Sequence, residues 1–232
     1  MSTAQEVGVL ETIRSRGHWR VTIRPGSFQR DRIPDRSDLF KIVERKSVRL
    51  RGWDYPHIDY RNQPQMGVDW VGQEFEWQDQ IELWRLYQSG QFIHFLALCG
   101  DWRDHSEIWP SEPGWRHGQF LYYIDTIYTL LEIFEFAARL ALSPASAPIM
   151  VVQIDLKGLQ GRHLTTTDNS IALRGDYRTQ LPEWNHRWMG SQTALIAEPR
   201  ELAAIASREL FAGFNLNVSN DVLRRLQERI GR

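Results

Sequence analysis

An α+β fold built on a central antiparallel sheet follows from three observations on this chain of 232 residues. Residues 80–88 and 91–99 alternate as two strands around Ser89-Gly90, residues 119–142 form a long amphipathic stretch, and two further helical segments close the chain. Length and the absence of repeats favour one domain, with a soft division near 143–148.

In chain order, residues 3–16 read as a short amphipathic helix stopped at Gly17, and 18–24 as a strand closed by Pro25-Gly26. Residues 37–46 suit a capped helix with Leu39, Ile42 and Val43 inward. Over 48–51, alternation sets Val48 and Leu50 on one face and Arg49 and Arg51 on the other, before a loop at 52–57. A two-residue turn in the central hairpin would place Tyr87 opposite Phe92, Arg85 opposite His94 and Leu83 opposite Leu96 on one face. Leu86/Ile93, Trp84/Phe95 and Glu82/Ala97 would share the other, so both faces need cover. After a loop at 100–117, the 119–142 helix carries Phe120, Ile124, Ile127, Leu131 and Phe134 on one stripe and ends at Ser143-Pro144. Strands are expected at 149–156, 163–167 and 193–197, a turn at 157–162, and helices at 200–211 and 221–230. The polar side of the long helix (Asp125, Thr129, Glu132, Glu135, Arg139) reads as solvated, with Glu135 and Arg139 paired one turn apart.

Composition narrows the function classes. Ten Trp, ten Phe and seven Tyr imply a large core together with half-exposed rings suited to binding. The lone Cys99 excludes an intrachain disulfide and predicts an inert thiol in a reducing compartment. The first residues lack a signal-peptide pattern, and the greasiest stretch holds Asp125, Glu132, Glu135 and Arg139, so a cytoplasmic protein with no membrane partner is expected. Net charge is −1 yet uneven: residues 1–62 hold 13 Lys/Arg against 8 Asp/Glu, and residues 63–150 hold 4 against 12.

The segments 48–57 (VRLRGWDYPH), 84–92 (WRLYQSGQF) and 132–140 (EIFEFAARL) resemble an uncharacterised bacterial family over nearly the whole chain. The resemblance implies a self-contained unit of bacterial origin and brings no activity, cofactor or catalytic residue with it.

Several groups of residues invite a chemical reading. Arg85 facing His94 would suit a small anion, unless a nearby carboxylate satisfies both. Asp101, Asp104 and His105, with His117, offer metal-ligating types in one loop but no established ligand spacing, so no metal and no cofactor is assigned. Asp155 and Lys157 match the D-x-K element of a broad nuclease class, although a helix rather than a strand precedes them. Arg20, Arg24, Arg49 and Arg51, interleaved with Trp19 and Trp53 and followed by His57, would make a cationic strip for nucleic acid if they converge. Phosphate-loop and nucleophile-elbow motifs are absent.

The expectation is therefore a non-catalytic binding module, a subunit or partner of a larger bacterial assembly. Its contact surface would be the Trp-bearing loops at 52–57, 70–77, 102–115 and 184–188. Nucleic-acid binding and a metal-dependent hydrolase or nuclease using Asp101, Asp104, His105, Asp155 or Lys157 are the alternatives.

Overall fold

The computed structural model describes residues 8–103, 116–166, 168, 171 and 173–230. Its frame is one antiparallel sheet of seven strands. In spatial order these are β11 (Glu183–Ser191), β9 (Ile149–Lys157), β1 (His18–Pro25), β7 (Phe92–Ala97), β6 (Gln80–Tyr87), β5 (Trp70–Trp77) and β4 (Gln65–Met66). Two small pairings flank it: β2 (Val48–Arg49) with β3 (Asp54–Tyr55), and β8 (Phe120–Tyr122) with β10 (His163–Thr165). The described helices are α1 (Val9–Arg14), α2 (Ser37–Lys46), α3 (Tyr123–Ala141), α4 (Gln192–Ala197), α5 (Pro199–Ala212) and α6 (Asn220–Gln227). The predicted α+β architecture is what the chain adopts.

The hairpin β6/β7 sits near the middle of the sheet, as its two apolar faces require, but its register differs from the expected one. Arg85 pairs with Ile93, Trp84 with His94 and Leu86 with Phe92. The loop holds three residues, with Tyr87 donating to the Gln91 carbonyl at 2.9 Å and the Gly90 amide to the Tyr87 carbonyl at 2.9 Å. Gln88 is unavailable for cross-strand pairing because its amide donates to Asp69 O and its side chain to Ile33 O and Pro34 O. Gly90 takes φ +82°, the left-handed residue that closes a three-residue loop, and a Cβ there would stand 2.5 Å from Ala145 O. One extra loop residue swaps the face of every partner on β7. Arg85 therefore does not meet His94.

On one face, Trp19, Val21, Ile23, Trp84, Leu86, Phe92, Ile154, Leu156 and Trp184 join the buried core beneath α3. Fourteen of the nineteen α3 residues are buried, because the helix packs against α2, α4, α5 and α6 as well as the sheet. Its polar side is accordingly not a solvated stripe: Thr129 and Glu132 are buried, Glu135 pairs with Arg200 at 3.4 Å, and Arg139 donates to Ser47 O at 2.7 Å. On the other face α1 covers only part of the sheet, setting Ile13 on Ile81, Leu83, Phe95 and Ala97. Arg20, Gln153, Asn185 and Arg187 remain exposed beside it.

Four segments depart from the sequence expectation, the first being residues 120–122, which form strand β8 paired with β10 rather than the first turn of the long helix. Residues 70–77 and 183–191 are strands rather than Trp-bearing loops, and 192–197 is helical rather than extended. In each strand the apolar residues alternate only in part, and pairing with a neighbour decides the conformation. Helix α4 is started by Ser191, whose hydroxyl accepts from the Ala194 amide at 3.1 Å.

Candidate functional site

A cleft of about 380 Å³ opens between the sheet and the first turns of α3. That is a volume typical of small-molecule sites. Its helical wall comes from the spacing of Asp125, Thr129 and Glu132, four and three residues apart and so on one side of the helix. Opposite stands the β2–β3 connection, where Gly52 at φ +81° turns the chain so that Arg51 and Trp53 both line the cleft. The β5–β6 turn adds Trp77, Asp79 and Gln80, and the segment after β7 adds Cys99 and Arg103. Trp19, Leu96, Leu98 and Leu121 supply apolar lining.

Ion pairs tie the walls together. Arg51 grips Glu132 with a fork, Nε to Oε1 at 3.0 Å and Nη2 to Oε2 at 2.5 Å, donates to Thr129 Oγ1 at 3.2 Å, and reaches Asp125 Oδ1 at 3.6 Å. Burial raises the Glu132 pKa, and the adjacent Arg51 only partly offsets this. Arg103 holds Asp79 at 2.9 Å, and Arg49 holds Asp54 at 2.7 Å. Deeper, Glu82 meets His94 Nε2 at 2.7 Å and accepts from the His57 amide at 3.2 Å. Burial works against the Glu82 carboxylate, but the hydrogen bond and charge of His94, with the His57 amide, outweigh it and hold the pKa below the ordinary value. Burial and the charge of Asp125 push the Cys99 thiol up to about 11.

Aromatic rings shape the rim. Trp53 stacks on His57 at 4.1 Å and lies parallel to Trp77 at 6.3 Å, and Trp77 is 52% exposed. Tyr55 sets its ring edge against His94 at 5.0 Å and Phe136 at 6.0 Å. Two polar atoms on lining residues, Trp53 Nε1 and Tyr55 Oη, are buried without a hydrogen-bond partner among the described residues. Such groups carry a desolvation cost of about 1–3 kcal/mol each unless something satisfies them.

The structure disperses most of the residues singled out from sequence. Arg51 and Trp53 line the cleft, with His57 stacked behind Trp53 and His94 behind Glu82. Arg20 and Arg24 lie on the opposite sheet face, Arg24 donating to Pro25 O, so no single strip unites them with Arg49 and Arg51. Arg85 sits over the Trp70 ring at 4.2 Å and 3.9 Å from Glu74. Asp101 is buried and clamped by Arg162, Asp155 accepts from Asn185 at 2.7 Å, and Lys157 pairs with Glu183. Asp104 and His105, and most of the 102–115 segment, lie outside the described residues. Among the described residues no group of three His, Cys, Asp or Glu side chains is arranged to hold a metal ion.

Asp79 and Glu82 carry no role in the sequence reading, Asp125, Thr129 and Glu132 read there as a solvated stripe, and Tyr55 and Arg103 enter it only within the contact segments 52–57 and 102–115. The 125/129/132 spacing was the available signal; its burial depends on Arg51 arriving from 78–81 residues away. Comparison with protein-family models, with curated proteins and with solved structures gave no match.

Proposed function

We propose that the chain is a non-catalytic binding module that receives a small polar ligand in the cleft between the Trp53/Trp77 rim and α3. The observation that carries this reading is the pair of buried, unpartnered polar atoms, Tyr55 Oη and Trp53 Nε1, on residues lining a cleft of ligand size. The parallel indoles of Trp53 and Trp77 add apolar faces beside those polar atoms, the mixture by which binding sites combine affinity with orientation. Support for a binding rather than a catalytic role comes from the commitment of the reactive groups: Glu82 to His94, Glu132 to Arg51, Asp79 to Arg103, and Cys99 held as a thiol.

A fragment screen read by NMR of fluorotryptophan-labelled protein tests this. Hits should shift the Trp53 and Trp77 signals and lose about tenfold or more in affinity in Trp77→Ala, since one buried aromatic contact contributes about 1–2 kcal/mol. The rim position of Trp77 makes that variant safe for folding. Hits scattered over the surface and indifferent to Trp77→Ala would remove the cleft from consideration.

A further inference from the structure

Resting on the cleft-binding reading above, we infer that the cleft takes an organic cation, an ammonium group with a hydrogen-bond acceptor nearby, and that Asp125 is its counter-charge. Among the described residues five carboxylates line the cleft: Asp54, Asp79, Glu82, Asp125 and Glu132. Four have close basic partners, Arg49, Arg103, His94 and Arg51 respectively, at 2.5–2.9 Å. Among the described residues Asp125 has no ion-pair partner closer than the far side of Arg51 at 3.6 Å, with Arg103 at longer range, and its side chain is 44% exposed. The two arginines that line the cleft among the described residues already serve carboxylates, so an incoming anion would find neither of them uncommitted, whereas a cation finds an under-neutralised carboxylate.

Position at the first turn of α3 explains why an acidic residue is tolerated at 125. It does not explain the hydroxyl of Tyr55, a residue only 4% exposed, left without a hydrogen-bond partner among the described residues. A hydroxyl there can accept from an ammonium N–H, and the Trp53 N–H requires an acceptor on the same ligand. Trp53, Tyr55, Trp77 and Tyr122 are among the lining residues, and cations are attracted to aromatic rings. An amino alcohol has this combination of groups.

Choline and ethanolamine serve as probes, each with its uncharged isostere, dimethylbutanol and propanol. Calorimetry on the full chain should find the cations bound at least about tenfold more tightly than the isosteres, from the ion pair and the π faces together. Asp125→Asn should erase that preference while leaving the isostere affinity in place, and Tyr55→Phe should weaken ethanolamine more than choline, which has no N–H to offer. Circular dichroism of both variants confirms the fold. Equal binding of cation and isostere to the wild type, or a preference that survives Asp125→Asn, would overturn the inference. If neither cation binds while other fragments still bind in a Trp77-dependent way, the cation is wrong and the cleft stands; if nothing binds there, both readings fall.

Discussion

Replacing Arg162 by methionine is expected to be the most damaging single change of charge in the molecule. Arg162 is 1% exposed and makes four hydrogen bonds: to Asp101 Oδ1 at 2.7 Å and Oδ2 at 2.5 Å, to Phe120 O at 2.8 Å and to Gly158 O at 2.6 Å. Asp101, 2% exposed, also accepts from the amides of Gly17 at 3.0 Å and Gly118 at 3.2 Å. One ion pair thus fastens the start of β1, the end of β7, β8 and the turn after β9. Methionine keeps the apolar stem but strands the Asp101 carboxylate with two amides, and breaking a buried pair in this way costs about 3–5 kcal/mol. A domain of this size loses roughly 2–4 °C per kcal/mol, so the melting temperature should fall by about 6–20 °C. Urea unfolding of Arg162→Met, Asp101→Asn and the double variant gives the coupling. The double variant should recover about 2–3 kcal/mol relative to the sum of the single changes, because neither charge is then left alone. A single-variant cost below about 1 kcal/mol, or costs that add within about 0.5 kcal/mol, would refute the assignment of Asp101 to architecture.

Two further outcomes follow from the cleft. Because the folded pKa of Glu82 lies below its unfolded value, the unfolded chain binds more protons between the two; Glu82 therefore contributes stability above the ordinary carboxylate range and loses it as pH falls through the lowered value. Glu132, with its raised pKa, acts in the opposite sense and loses stability as pH rises through that value. Glu82→Gln should flatten the acid limb of stability measured by urea unfolding between about pH 3 and 7, and an unchanged slope would place the proton uptake elsewhere. Cys99, its thiol at about 11, should react with iodoacetamide at pH 8 about a hundredfold more slowly than a small free thiol, the rate climbing with pH; a rate like that of the free thiol would contradict its environment.

The Glu82 and Glu132 sites show where reading the chain succeeds and where it stops. Periodicity located the hairpin, the long helix and the closing helices, because alternation and helical spacing are local consequences of which side chains must be buried. It missed the register, since Gln88 is drawn out of the strand by carbonyls at Ile33, Pro34 and Asp69, contacts that no local pattern records. Residues 70–77 and 183–191 went unrecognised as strands for the same reason, their conformation being set by β6 and β9.

The candidate site divides along the same line. Its ring-bearing segment at 52–57 and its arginine at 51 were legible as unusual residues, yet the sequence suggested that Arg51 joined a cationic strip, whereas it reaches Glu132. Composition and pattern alone determined the α+β class, the central hairpin, the helix beneath which the core forms and the abundance of aromatic rings. Only the tertiary structure decided that Glu82 partners His94, that Asp101 partners Arg162, and that Asp125 has no ion-pair partner closer than 3.6 Å among the described residues. The physical reason is range: backbone conformation follows from neighbours a few residues apart, whereas charge pairing and burial depend on side chains brought together from 12 to 81 residues away.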